Sequence, residues 1–213
     1  MHEGYYRQFL SVQKDVAASL LKPEMEGLQL FITGHSLGGA LAITATKFLA
    51  SDITGACYTF GSPPVGTVDF DSDIVTPIYR IINHVDIVPR LPNPSAVFLF
   101  RFLATITISV MELFFRPFSS IRKSKWYDKF SKMLADAQRY RQSGYGSYLV
   151  GEGTAAKLKY TVSTLDRIKW WLIQVKRIPA GEFKLMSDHS IDKYSSKLAA
   201  WAVHRKAEKP KDQ

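Results

Sequence analysis

Apolar and polar positions alternate in blocks along the chain and predict alternating strands and helices. Short apolar runs bounded by turn residues predict strands at about 28–33, 55–60, 78–83 and 146–150. Apolar residues at helical spacing predict helices at Tyr5–Leu21, directly after Gly38, at 161–178 and at Ser190–Arg205. Strands that alternate with helices predict an α/β fold, a mostly parallel sheet with helices on both faces.

The most informative local pattern lies where the first strand meets the second helix. The apolar run ends in Gly34-His35-Ser36-Leu37-Gly38, and small apolar residues follow. This order is typical of the nucleophile elbow of an α/β-hydrolase, in which a serine stands on a tight turn between strand and helix. At both Gly34 and Gly38 we expect a β-carbon to collide with the crowded turn, which only glycine avoids. The backbone N–H of Leu37 is the expected donor to an acyl oxyanion.

Four stretches of the chain resemble the class 3 lipase family, the fungal triacylglycerol lipase type. They are Gly34–Ala42 (GHSLGGALA), Tyr58–Gly66 (YTFGSPPVG), Tyr79–Pro92 (YRIINHVDIVPRLP) and Asp188–Tyr194 (DHSIDKY). The resemblance covers about residues 1–94 and, more loosely, 140–200. It implies an α/β-hydrolase fold and a serine ester hydrolase that needs no cofactor.

The resemblance also implies a catalytic triad of Ser36, Asp86 and His189, and these residues follow one another in the Ser…Asp…His order of α/β-hydrolases. Asp86 comes after an apolar strand, at the sheet edge where α/β proteins build their sites. Other interpretations stay open: Asp86 as a turn or cap residue, and His189 as a surface histidine at the start of the last helix. Other residues are weaker candidates: Asp69, Asp71, Asp73, His84 and His204. His35 is expected to support the turn, and Asp188 or Ser187 to cap the last helix.

The sequence resembles the family without its N-terminal part. The stretch that begins at Met1-His2-Glu3-Gly4 resembles the segment that follows the lid in the family. The fold is therefore expected to be N-terminally truncated, with Leu37 as the only oxyanion donor. Losing one of two donors costs about 2.7–4 kcal/mol of transition-state stabilisation.

Composition and charge limit the classes of partner that the protein is expected to bind. Residues 1–115 hold 7 Lys/Arg and 10 Asp/Glu, whereas residues 116–213 hold 21 and 9, a net charge of +12. No nucleic-acid-binding motif accompanies the basic half, so an anionic membrane or lipid interface is the expected partner, with a solvated basic surface as the alternative. No cluster has metal-ligand spacing, so we expect no metal and no cofactor. The single cysteine, Cys57, lies in an apolar run and is expected to be a buried thiol.

The resemblance and the charge pattern together predict the domain organisation of the chain. Residues 1–206 are expected to form one domain with an insertion at about 95–139, and residues 207–213 a charged tail. The insertion begins with the apolar run Ala96–Phe118, which Arg101 and Glu112 interrupt, and continues with the basic segment Ser119–Gln142. A hairpin packed near the site mouth or a membrane anchor in the plane of the bilayer is expected for the apolar run, with a bilayer span as the alternative. For the basic segment, contact with lipid headgroups and a helix that caps the domain both remain open.

The expected function is hydrolysis of a carboxylic ester in an acyl lipid, through an acyl-enzyme. A lipid- or membrane-binding module with impaired catalysis is the first alternative, and an interaction protein that uses the basic half is the second. The polar, amphipathic start predicts no signal peptide at Met1, which leaves a cytoplasmic or peripheral-membrane location open. The sequence leaves open the particular ester and the oligomeric state.

Overall fold

A computed structural model of the chain describes most of its first 90 residues and two later stretches that complete the sheet. The described residues are 1–84, 86, 88–90, 105–106, 128–129, 131–132, 135, 139–151, 153–163, 165–166, 169, 172 and 188–207. They include every residue that the sequence places in the candidate site.

Among the described residues, five strands form one sheet in the chain order β1-β2-β3-β4-β5, with β1 at one edge. The first four are parallel to one another, and β5 pairs antiparallel with β4. The strands are β1 (Leu30–His35), β2 (Thr54–Phe60), β3 (Ile78–Asn83), β4 (Tyr145–Val150) and β5 (Lys157–Lys159). The first four match the predicted strands to within two residues, and β5 was not predicted.

Four α-helices have defined bounds within the described part of the chain. They are α1 (Glu3–Leu20), α2 (Leu37–Leu49), α3 (Val68–Asp71) and α4 (Ile191–Ala207), and the single turn α3 was not predicted. Helix α4 begins after Ser190, whose hydroxyl accepts a hydrogen bond from the Asp192 N–H at 3.3 Å. Ser190 therefore occupies the capping position that the sequence assigned to Asp188 or Ser187, and Ser187 lies outside the described residues.

One face of the sheet carries an apolar core beneath α2. The core consists of Ala40, Ala42, Ile43, Cys57, Val65, Phe70 and Ile78, with Tyr5 of α1 packed against it. Small side chains on α2 let the helix approach the sheet closely. The buried hydroxyls of Thr44 and Thr46 are satisfied within the helix, because they donate to the carbonyls of Ala40 and Ala42.

The opposite face is covered differently along its length. Side chains alternate along a strand, so Phe60, Ile81 and Leu149 point away from the α2 core. Near the carboxyl ends of the strands they form a second cluster with Tyr194 and Leu198 of α4. Towards the amino ends, the same face presents a row of partly exposed rings, Phe31, Tyr58, Tyr79 and Tyr145. Helices α2 and α4 therefore lie on opposite faces, as the sequence predicts.

Several predicted segments fall largely outside the described residues. The apolar run 96–118 and the basic segment 119–142 are described at only a few positions, so the insertion at 95–139 and the domain bounds stay predictions. Of the helix predicted at 161–178, residues 161–163 are not helical, and four later residues are described as helical. Residue 207, which the sequence assigns to the tail, belongs to α4. Within the described ranges, no helix has both the length and the apolar character to cross a membrane.

Candidate active site

Ser36 stands on a strained turn between β1 and α2. Its φ of 54° and ψ of −127° make it the only non-glycine residue with a positive φ among the described residues. Such a conformation costs about 1–3 kcal/mol and persists only where the surrounding structure holds it. The Ser36 N–H donates to the Phe60 carbonyl at 2.9 Å, which fixes the turn to the end of β2.

The two glycines that flank Ser36 are not equivalent. A β-carbon at Gly34 would lie 2.1 Å from the Gly38 carbonyl oxygen, so only glycine fits there. A β-carbon at Gly38 would meet no atom within 4 Å. The expectation of a collision is therefore correct for Gly34 and wrong for Gly38, because at Gly38 it is the backbone carbonyl that makes the close approach.

The structure brings Ser36, Asp86 and His189 together at the carboxyl ends of the parallel strands. The Ser36 Oγ lies 2.6 Å from the His189 Nε2, and the His189 Nδ1 lies 2.7 Å from the Asp86 Oδ2. Asp86 is fully buried and His189 is 4% exposed. The Asp86 N–H donates to the Asn83 carbonyl in a tight turn, which places the carboxylate directly beyond β3.

The charge of Asp86 fixes the proton positions. An ionised carboxylate only accepts hydrogen bonds, so the His189 Nδ1 carries the proton that faces it. The Nε2 of the neutral ring is then an acceptor, and the Ser36 hydroxyl donates to it. The arrangement can remove a proton from Ser36 and stabilise the imidazolium that results.

Two further donors satisfy the buried carboxylate. The Val88 N–H donates to the Asp86 Oδ1 at 2.9 Å, and the Tyr194 hydroxyl donates to the Oδ2 at 2.6 Å. Burial raises the pKa of Tyr194 above its usual range, and the adjacent Asp86 charge raises it further. Both effects favour the protonated hydroxyl, the form in which Tyr194 donates to Asp86.

Leu37 is the first residue of α2. The N–H groups in the first turn of a helix have no partner within the helix, and the helix dipole makes this end partly positive. The Leu37 N–H follows Ser36 directly, which places it where the sequence expects an oxyanion donor.

The other histidines have separate surroundings. The His35 Nε2 lies 2.7 Å from the His189 carbonyl oxygen. Burial, followed by the nearby Arg90, lowers the pKa of His84. His204 is exposed near the far end of α4.

The weaker aspartate candidates and the thiol have other partners. Asp71 accepts a hydrogen bond from the Ser143 hydroxyl, and Asp73 forms an ion pair with Lys47. Cys57 is buried as expected, and burial raises the pKa of its thiol. In the described part of the chain, no three His, Cys, Asp or Glu side chains group in a way that could hold a metal ion.

Sequence reasoning missed two residues that contact the site. Tyr194 lies in the quoted stretch Asp188–Tyr194, one helical turn into α4. Gly61 follows β2, and a β-carbon there would lie 2.9 Å from the Asp86 Oδ2 and 3.0 Å from the His189 Cε1. The signal for Gly61 was a glycine at the end of a predicted strand, on the same sheet edge as Ser36 and Asp86.

Comparison with known proteins finds similar sequences for the first part of the chain. The family model for class 3 lipases matches residues 1–96, which include Ser36 and Asp86. The secreted mono- and diacylglycerol lipase 1 of Fusarium solani is 38% identical over 100 residues, which is 42% of this chain and 30% of that protein. A lipase of Rhizomucor miehei is 33% identical over 110 residues, 46% of this chain and 30% of that protein.

A phospholipase A1-II 1 of Oryza sativa is 42% identical over 79 residues, 33% of this chain and 20% of that protein. Among solved structures, a Rhizomucor miehei lipase in complex with its propeptide superposes with a TM-score of 0.50 at 19% identity, over 76% of this chain and 42% of that one. At this identity the superposition shows the shared α/β-hydrolase-like fold alone. The chain spans less than a third of the length of these curated relatives. Residues 1–96, the part that the family model matches, are therefore similar to the class 3 lipases.

Proposed function

We propose that the protein hydrolyses carboxylic ester bonds of acyl lipids, with Ser36 as nucleophile, His189 as general base and Asp86 as the residue that orients the base. One observation carries the proposal: the strained Ser36 presents its hydroxyl 2.6 Å from an imidazole that a buried carboxylate holds from the other side. The family of residues 1–96 and the names of the relatives support a lipid ester as the substrate.

The reaction follows from the proton positions. Ser36 attacks the acyl carbonyl while His189 takes its proton, and the Leu37 N–H donates to the oxyanion that forms. His189 then gives the proton to the leaving alcohol, which releases the alcohol and leaves the acyl group on Ser36. The imidazole next takes a proton from water, which attacks the acyl carbon. The bond from that carbon to the Ser36 Oγ then breaks, the fatty acid is released, and the imidazole returns the proton to Ser36. Asp86 keeps the imidazole in the required tautomer throughout.

A fluorophosphonate probe tests the nucleophile directly, because it reacts rapidly only with an activated serine. We expect the protein to be labelled and to hydrolyse p-nitrophenyl esters of fatty acids. Ser36→Ala and His189→Ala should each lower both rates by more than a hundredfold. His204→Gln, which changes an exposed histidine of α4, is the matched control and should retain both activities.

The outcomes separate the candidate functions. Labelling that survives Ser36→Ala would show that Ser36 is not the nucleophile. Binding to lipid vesicles without labelling or turnover would instead favour the membrane-binding module with impaired catalysis.

The charge distribution supports an anionic lipid surface as the place of action. Residues 116–213 carry a net charge of +12. Each basic residue near an anionic leaflet contributes about 1 kcal/mol of attraction, which salt screens. We expect the protein to sediment with vesicles that contain phosphatidylglycerol and to be released at high salt. Equal binding to phosphatidylcholine vesicles would contradict this electrostatic contribution.

A further inference from the structure

The backbone of His189 is held by two side chains from the sheet. The His35 imidazole donates from its Nε2 to the His189 carbonyl oxygen at 2.7 Å. The Asn83 side-chain amide donates from its Nδ2 to the Asp188 carbonyl oxygen at 2.8 Å. Two consecutive carbonyls of the turn that carries the imidazole therefore accept hydrogen bonds from side chains.

These two donors lie close in sequence to Ser36 and Asp86, the residues that the His189 imidazole bonds. His35 is the last residue of β1 and immediately precedes Ser36, and Asn83 is the last residue of β3, three residues before Asp86. The imidazole bonds Ser36 and Asp86, while the backbone beside it bonds the last residues of β1 and β3, the two strands that lead to Ser36 and Asp86. A displacement of the turn would thus strain bonds at both strand ends.

Both donors are themselves held in place. Asn83 is fully buried: its Oδ1 accepts from the Lys197 Nζ at 3.0 Å, and its N–H donates to the Tyr194 hydroxyl at 3.0 Å. Since the ammonium of Lys197 can only donate, the amide of Asn83 must turn its Nδ2 towards the Asp188 carbonyl. The His35 ring packs 4.7 Å from the His189 ring and edge-on to the Tyr194 ring.

We infer that His35 and Asn83 are positioning residues, which act through His189 by keeping its Nε2 within hydrogen-bond distance of the Ser36 hydroxyl. The inference rests on the proposed function. Proton transfer depends steeply on geometry, and a misplacement of about 1 Å can reduce a rate by about a hundredfold. Neither side chain need touch the substrate, so their loss should lower kcat and leave KM unchanged.

Two variants of His35 separate hydrogen bonding from packing. His35→Leu keeps an apolar side chain and removes the donor; we expect it to lower kcat by about 10- to 100-fold. His35→Gln retains an N–H donor at similar reach and should recover most of that loss. Asn83→Asp is isosteric, keeps an oxygen for Lys197 and removes the Nδ2 donor, so it should lower kcat in the same way. His84→Gln is the matched histidine control and should keep the wild-type kcat.

A double mutant tests whether the effect of His35→Leu on kcat depends on His189. In a His189→Ala protein, His35→Leu should cause no further loss of the residual rate. An equal loss in both backgrounds would show that His35 acts on the fold or on another group, and would overturn the inference. A kcat unchanged by both His35→Leu and Asn83→Asp would overturn it as well.

A spectroscopic readout keeps the inference independent of turnover. In protein labelled with ¹⁵N-histidine, the proton between the His189 Nδ1 and Asp86 should give a low-field resonance. We expect His35→Leu to shift or broaden it, and His35→Gln to preserve it. If the wild-type protein proved inactive, the proposed function would fail, yet this resonance would still decide the positioning role. An unchanged resonance in His35→Leu and Asn83→Asp would refute that role.

Discussion

Replacement of Gly61 by alanine adds one methyl group at the point where three site residues meet. Gly61 follows β2 with a φ of +61°, and its N–H donates to the Ile81 carbonyl at 3.0 Å. The added β-carbon would lie 2.9 Å from the Asp86 Oδ2, 3.0 Å from the His189 Cε1 and 3.0 Å from the Tyr194 hydroxyl. These three groups are joined by hydrogen bonds, so none of them can move alone.

Two costs add up at this position. A non-glycine residue in the left-handed region costs about 1–2 kcal/mol. The three contacts must each lengthen by about 0.5–1 Å to reach the ordinary separation of about 3.5–4.0 Å, and such overpacking costs about 1–3 kcal/mol. We therefore expect Gly61→Ala to lower the free energy of unfolding by about 2–5 kcal/mol. The outward displacement of Asp86 and His189 should also lower kcat by about 10- to 100-fold.

Gly27→Ala is the matched control for the backbone cost. Gly27 has a φ of +74°, and a β-carbon there would meet no atom within 4 Å. This variant should lose about 1–2 kcal/mol of unfolding free energy and keep full activity. Urea unfolding and the rate of fluorophosphonate labelling measure the two effects separately. The reasoning fails if Gly61→Ala labels at the wild-type rate, or if it is no less stable than Gly27→Ala.

Two further predictions concern Ser36 and Tyr194. Ser36→Gly and Ser36→Ala should both be inactive, but the glycine variant should unfold with a free energy higher by about 1 kcal/mol, because glycine relieves the positive φ; equal stabilities in urea would show that the turn stores no strain. Because burial and the Asp86 charge raise the pKa of Tyr194, the unfolded chain loses this proton above the ordinary tyrosine pKa of about 10 while the folded protein keeps it. Stability should therefore fall with rising pH above about 10, by up to about 1.4 kcal/mol per pH unit, and Tyr194→Phe should lack this part of the slope; identical slopes would contradict the prediction.

The sequence predicts the strands and helices that have a recognisable apolar pattern and misses the elements that lack such a pattern. The parallel strands β1–β4 are bounded runs of apolar residues, and all four were predicted. Strand β5 is Lys157-Leu158-Lys159, three residues with a single apolar side chain, and it exists because it pairs with β4. The turn α3 is likewise too short to have a detectable period.

The candidate site likewise contains residues that the sequence could predict and residues that it could not. Ser36, Asp86 and His189 could be selected because each lies next to a recognisable strand end or helix start, and the structure brings them together. Their catalytic roles remain predictions. Asn83 and Gly61 also lie at predicted strand ends, and Tyr194 lies near a predicted helix start, but none of them has the side chain of a triad member. Their importance lies in contacts between segments distant in sequence. The Tyr194–Asp86 bond, for example, joins residues 108 positions apart.

The two faces of the sheet support the site by different physical means. The strained turn at Ser36 needs close packing around it, and the apolar core around Ala40 and Ile43 supplies this without requiring any particular direction. The imidazole of His189 needs an orientation, which only directional bonds can fix. The buried polar groups of Asn83 and Tyr194 supply those bonds from the opposite face. Loss of core packing should therefore affect chiefly stability, whereas loss of a polar contact should affect chiefly the rate at an unchanged KM.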